Sequence, residues 1–166
     1  MITATHSIQV RVNGRPVSAT VVPRCTLADF LRERAGLTGT HIGCREGVCG
    51  SCTVLINGDS ARSCLTLAVQ ANGAEVTTVE GLSRADGLSE VQSALLEHHG
   101  FQCGFCTPGV VVLIEELLAE VDTGARPSAE DVRNRLTALW CRCTGYAPIV
   151  AAATACVTAR VARGPR

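Results

Sequence analysis

The chain has 166 residues, enough for one ordinary domain or two small ones, and its 46% apolar content can fill a core although aromatics make up only 3%. Lys and Arg number 15 and so do Asp and Glu, giving a formal net charge of zero, which excludes both the basic footprint of a nucleic-acid binder and an acidic tail for a cationic partner. The outstanding feature is ten cysteines. Residues 1–6 show no basic region, apolar stretch or twin arginine, so a cytoplasmic chain is expected. In that compartment cysteines point to metal ligation rather than to a disulfide framework. The longest apolar runs, 110–114 and 149–159, are too short to span a bilayer.

In chain order, residues 7–13 alternate (Ile8, Val10, Val12), and Asn13-Gly14 offers a hairpin turn into a second strand at 17–22. Residues 27–35, with Leu27, Phe30 and Leu31 on one side, predict a helix ending at Gly36. A glycine-rich loop follows, then short strands at 53–56, 61–65 and 76–79, with Asn57-Gly58 turning between the first two. The character changes around 81–88. Beyond it a helix at 90–99 ends at Gly100, a fitting C′ residue. Residues 107–121 place Val110, Leu113, Ile114, Leu117, Leu118 and Val121 on one stripe, with Glu115, Glu116 and Glu120 opposite. A helix at 128–139 opens with a Ser-x-x-Asp box, and one at 148–160 closes the chain. The expected organisation is α+β: residues 1–80 a β-rich unit, 81–88 a connector, 89–166 an all-α unit.

Cys44-x4-Cys49-x2-Cys52, with Cys64 eleven residues on, has the spacing of a plant-type [2Fe–2S] ferredoxin. A loop that wraps a cluster must aim backbone N–H groups at sulfur without side-chain clashes, and Gly43, Gly47 and Gly50 supply such positions. Structural zinc sites usually come as two close pairs, which this spacing does not provide. The second set is Cys103-x2-Cys106 and Cys141-x-Cys143. Each pair lies just before a predicted helix, opened by Thr107-Pro108 and Ala147-Pro148 with proline at the favoured first position. Two helix N-termini then offset the charge of an anionic, thiolate-ligated centre. The half-sites Cys-Gly-Phe-Cys-Thr-Pro and Cys-Arg-Cys-Thr-Gly-Tyr look alike, suggesting a pseudo-twofold pair of helix hairpins. Taken alone, this set also suits zinc.

Cys25 and Cys156 have no partner spacing and read as buried free thiols. His98 and His99 sit at a helix end, where a cation suits the dipole, and His41 reads as a solvated side chain. Phe101, Phe105, Trp140 and Tyr146 crowd the second cysteine set, as core packing or as an apolar shell that tunes the centre.

The motifs Gly-Cys44-Arg-Glu-Gly-Val-Cys49-Gly-Ser-Cys52-Thr-Val, Arg62-Ser-Cys64-Leu, Gln102-Cys103-Gly-Phe-Cys106-Thr-Pro-Gly109 and Cys141-Arg-Cys143-Thr-Gly-Tyr146 together resemble the iron–sulfur subunit of the molybdenum hydroxylases. That is the xanthine dehydrogenase, aldehyde oxidoreductase and aerobic carbon monoxide dehydrogenase family. The likeness runs collinearly over roughly residues 10–157. It implies an N-terminal β-grasp plant-type ferredoxin domain followed by an all-α four-helix [2Fe–2S] domain. It also implies a large partner subunit holding molybdopterin as the cytosine dinucleotide, a medium partner holding FAD, and a dimer of heterotrimers. By the same resemblance the helical-domain cluster lies nearest the pterin, and Gln102 and Cys143 match the pterin contacts. Arg45, Val48 and Ser51 in the first loop, and Ala138-Leu139-Trp140 before the second pair, depart from the common pattern.

The expected role is therefore an electron-transfer subunit that makes and breaks no substrate bond. A free-standing two-cluster ferredoxin is the alternative in the same chemistry, and a zinc-stabilised interaction module the alternative in another. Colour separates iron–sulfur from zinc, and co-purification with large subunits separates the two iron–sulfur readings.

Overall fold

Alternation of Ile8, Val10 and Val12 with exposed polar neighbours builds β1 (His6–Val12) with one face buried. Asn13 and Gly14, both at positive φ (50° and 76°), turn the chain into β2 (Arg15–Val21), the turn whose twist matches that of paired strands. The computed structural model that shows this describes residues 4–83 and 87–164. Thr26 caps α1 (Leu27–Glu33) by accepting from the Asp29 N–H. Leu27, Phe30 and Leu31 are wholly buried in a core with Ile8, Val10, Val54 and Val76, each contributing about 1.5–3 kcal/mol of apolar burial.

β3 (Thr53–Ile56), β4 (Asp59–Arg62) and β5 (Glu75–Thr77) complete a five-stranded sheet of order β2-β1-β5-β3-β4. β1 and β5 run parallel and the other pairs antiparallel. With α1 packed on it, this is the β-grasp ferredoxin arrangement. β4 lies earlier than the expected 61–65. The two-residue turn Asn57-Gly58 forces Ile56 opposite Asp59, so the strand ends at Arg62 and leaves Cys64 in the turn beyond. β5 is likewise shorter than 76–79, because the chain enters a one-turn helix, α2 (Val79–Leu82), that sequence patterning did not show. A 3-10 turn at Ala68–Ala71 was also unforeseen. The expected connector 81–88 includes residues 84–86, which lie outside the described residues, as do residues 1–3 of the amino-terminal stretch.

Among the described residues the second half holds four helices: α3 (Glu90–Glu97), α4 (Thr107–Asp122), α5 (Ala129–Leu136) and α6 (Ala147–Arg163). Ser89 with Gln92, and Ser128 with Asp131, form the capping boxes of α3 and α5. The end of α3 differs from expectation: His99, not Gly100, takes the positive φ (54°). The N–H groups of His99 and Gly100 reach back to the carbonyls of Leu96 (3.2 Å) and Leu95 (2.7 Å), a Schellman closure. Gly100 is needed for space instead, since a Cβ there would stand 2.6 Å from Leu95 Cδ2.

Every residue of the predicted α4 stripe is buried, but so are Val111 and Val112. The helix is enclosed because it packs on α6 at one side and β3 at the other. Its glutamates consequently do not form a simple solvated face. Glu116 accepts from the Ser60 N–H on β4 (2.6 Å) and pairs with Arg135 (2.9 Å), which also holds Glu120 (2.6 Å). Below, the buried Arg160 of α6 joins Asp122 (2.6 Å) to Glu90 (3.0 Å), and Arg163 adds a second contact to Glu90. Among the described residues no helix is long and apolar enough to cross a membrane.

Candidate metal centres

The first cysteine loop is built to point hydrogen-bond donors at sulfur. Cys44 Sγ accepts from the backbone N–H groups of Glu46 (3.3 Å) and Cys49 (3.4 Å). Those bonds, Cys49 first, pull its thiol down to about 6, toward the thiolate a metal binds. Gly50 has φ +77° and its Cβ would meet the Ala138 carbonyl at 2.6 Å, so nothing larger fits there unchanged. Gly43 lacks a positive φ, but a Cβ on it would sit 3.0 Å from Cys49 Sγ. Arg45 takes a left-handed φ (60°). Its side chain pairs with Asp29 of α1 (3.0 Å) rather than standing free at the loop tip. Cys52 and Cys64 are buried inside the loop. Burial, followed by the neighbouring Cys52, pushes the Cys64 thiol up to about 11. A metal that neutralises the pair removes that penalty and releases protons on binding.

The second set closes at the N-termini of α4 and α6. Cys106 is the N-cap of α4, and Pro108 and Pro148 sit in the first turns of the two helices. Cys103 and Cys143 bring their sulfurs to 3.6 Å. That is about the separation of two thiolates roughly 2.3 Å from one tetrahedral metal. Cys106 is buried, and burial followed by its neighbour Cys141 drives its thiol up to about 12. Burial also works to raise Cys141, but bonds from Thr144 outweigh it and the net shift is downward. The Thr144 hydroxyl stands 3.2 Å from Cys141 Sγ and accepts from the Tyr146 N–H at 3.1 Å. Tyr146 Oη accepts from the Cys141 N–H (2.9 Å) and donates to the Leu139 carbonyl (3.1 Å), pinning the loop. Cys103, Cys143 and Gln102 are exposed.

Among the described residues no three His, Cys, Asp or Glu side chains converge on one ion position. Cys44 meets Cys49, Cys52 meets Cys64, Cys103 meets Cys143 and Cys106 meets Cys141, the pairing that a dinuclear centre with two ligands per iron requires. The all-thiolate donors, the N–H groups on Cys44 and the crowding at Gly43 all fit [2Fe–2S]. The buried hydroxyl of Thr107, beside Cys106, has no protein partner and suits an acceptor sulfide.

The two sites are tied together. The Trp140 N–H donates to the Cys49 carbonyl (2.9 Å). Arg62 donates to the carbonyls of Gly47 (3.3 Å) and Ala138 (2.5 Å) and to Thr53 Oγ1 (2.5 Å). His41, expected to be solvated, is half-buried, stacks on Phe105 at 4.9 Å and bonds its carbonyl through Nδ1 (2.8 Å). The aromatics do not form a helical core: Phe101, Phe105 and Trp140 are exposed. Cys156 is buried as expected, whereas Cys25 is only partly so. Sequence reading quoted Thr144 and Arg62 only inside motifs and gave neither a role, although the recurrent Cys-Thr in both half-sites marked the first.

The family model described as the 2Fe-2S iron-sulfur cluster binding domain matches residues 10–83, and that described as the [2Fe-2S] binding domain matches residues 78–154. The chain is 49% identical over 146 residues to the nicotine 6-hydroxylase small subunit of Paenarthrobacter nicotinovorans, covering 87% of this chain and 86% of that one. It is 45% identical over 147 residues to caffeine dehydrogenase subunit gamma of Pseudomonas sp. (strain CBB1), covering 89% and 88%. In quinoline 2-oxidoreductase from Pseudomonas putida 86, one chain superimposes with a TM-score of 0.89 at 48% identity over 98% of this chain and 99% of its own. This chain therefore belongs to the family of small iron–sulfur subunits of the molybdenum hydroxylases, the two-cluster electron-transfer chains of enzymes of the xanthine dehydrogenase and aldehyde oxidoreductase type.

Proposed function

We propose that Cys44, Cys49, Cys52 and Cys64 hold one [2Fe–2S] cluster and Cys103, Cys106, Cys141 and Cys143 the other. The chain carries electrons from a molybdopterin centre on a large partner subunit to FAD on a medium partner or to another acceptor. The observation that carries this reading is the meeting of sulfurs in pairs, Cys103 and Cys143 at 3.6 Å above all. Each cluster takes up and gives out one electron. The chain's own residues hold the thiolates, exclude water and set the potential: N–H groups at Cys44, the Thr144 hydroxyl at Cys141, and burial at Cys64 and Cys106.

Electrons enter at the helical site and leave through the β-grasp site. Exposure of Gln102, Cys103 and Cys143 supports entry there, with Gln102 and Cys143 as the pterin contacts. The relatives' names, one a small subunit and one a subunit gamma, support a multisubunit assembly. The reading extends to pterin as the cytosine dinucleotide, a dimer of heterotrimers, a cytoplasmic location, and units 1–80 and 89–166 joined by 81–88. Cys49→Ser in the assembled complex tests the order, because serine is a poorer ligand for this iron than thiolate. Rapid-freeze EPR should show the helical site still reduced by substrate while reduction of the final acceptor slows sharply. Fast acceptor reduction with the helical site left oxidised would reverse the order.

A further inference from the structure

We propose that Arg62 is the positioning residue that fixes the two cluster sites relative to one another and so sets the coupling between them. The inference rests on the ligand assignment above. Arg62 ends β4, two residues before Cys64, and its guanidinium serves three segments at once. Nε–H donates to the Gly47 carbonyl inside the first cysteine loop (3.3 Å), and one terminal nitrogen donates to Thr53 Oγ1 where β3 leaves that loop (2.5 Å). The other terminal nitrogen donates to the Ala138 carbonyl, three residues before Cys141 (2.5 Å). Thr53 extends the brace by donating to the Gly50 carbonyl (2.6 Å).

The place where Arg62 acts is the junction of the two sites. The Trp140 N–H bonds the Cys49 carbonyl at 2.9 Å, and the Ala138 carbonyl lies where a Cβ on Gly50 would come within 2.6 Å. The neighbours of one first-site ligand and one second-site ligand are thus held by a single planar fork, which the point charge of lysine cannot reproduce. The fork also sets a positive charge between two anionic centres, a placement that favours the reduced form of both. A second charged contact between the halves, Glu116 with the Ser60 N–H, involves neither cysteine loop.

The test uses the assembled complex with Arg62→Lys, Arg62→Gln and, as a packing control, Glu116→Gln. Iron content, the potential of each cluster and the magnetic splitting of each reduced cluster's EPR signal by the other are measured. Arg62→Lys should keep full iron and near-native potentials but change the splitting. Arg62→Gln should change the splitting and also lower both potentials, by up to roughly tenfold in the reduction equilibrium, or ~59 mV for one electron. Glu116→Gln should change neither. If Arg62→Gln fails to take up iron, Arg62→Lys decides. Native splitting in Arg62→Lys, or an equal change in Glu116→Gln, overturns the proposal. A wild-type complex without two cluster signals overturns the ligand assignment first, and this proposal with it.

Discussion

Replacing Gly50 by alanine should loosen the junction between the two metal sites by an amount that can be worked out in two parts. Gly50 lies at φ +77°, and a Cβ there would stand 2.6 Å from both the Ala138 carbonyl oxygen and Leu139 Cδ2. The left-handed backbone costs an L-residue about 1–2 kcal/mol. The contact must open by several tenths of an ångström, and it sets the new Cβ against a backbone carbonyl that Arg62 holds in place. Overpacking of that kind costs about 1–3 kcal/mol. The sum, about 2–5 kcal/mol, is a large share of the ~5–15 kcal/mol that stabilises a typical domain. Gly73, in the turn before β5 and away from both cysteine sets, supplies the control: its φ is +80°, but a Cβ there meets nothing within 4 Å. Gly73→Ala should carry the backbone cost alone. Thermal unfolding followed at the cluster absorbance should place Gly50→Ala below Gly73→Ala, by roughly 2–4 °C per kcal/mol of difference. If the two variants melt together, the loops are not in contact as described.

Removing the Thr144 hydroxyl with Thr144→Val takes a hydrogen bond from Cys141 sulfur; lost donation disfavours the more anionic reduced state, so potentiometric EPR should find only the second cluster's potential lowered. Arg160→Ala leaves Asp122 without its cation and Glu90 with Arg163 alone, both carboxylates being largely buried, and should cost about 2–4 kcal/mol in denaturant unfolding. Burial acts to raise the Glu90 carboxyl, but Arg160 and Arg163 outweigh it and hold it below the usual range. Its stabilisation is therefore fully present above about pH 4.3 and lost as pH falls through the lower folded value. Arg160→Ala should move acid unfolding, read by circular dichroism, to higher pH. The isolated chain exposes Val48, Leu65, Leu96, Phe101 and Trp140, and should self-associate on gel filtration until partner subunits are supplied.

What could be read in advance was what repeats locally. Ile8, Val10 and Val12 alternate and Ser128 and Asp131 stand three apart, so strands and caps were legible, and each cysteine set keeps its own spacing, on which the proposed ligand sets rest. The register of β4 was missed because residues 61–65, which run on past its end, also read as plausible strand, while the actual constraint was the length of the Asn57-Gly58 turn. Leu65, taken as a strand end, is exposed against Gly47 in the metal loop. The helix end at His99 hid behind Gly100, whose bareness answers Leu95 rather than φ. Least legible were contacts between the halves. Arg62 reaches Ala138 across 76 residues and Glu116 reaches Ser60 across 56, and neither has a local pattern to announce it. His41 was misjudged for the same reason, since its partner Phe105 lies 64 residues away.

The central claim is that eight named cysteines hold two separate [2Fe–2S] clusters. Iron and acid-labile sulfide, measured on the purified complex with EPR of the reduced protein, test it most directly. The account predicts about four iron and four sulfide for each copy of this chain, seen as two distinct signals. Cys64→Ser should abolish one signal and Cys106→Ser the other. Stoichiometric zinc without sulfide, or a single signal lost equally in both variants, would contradict it.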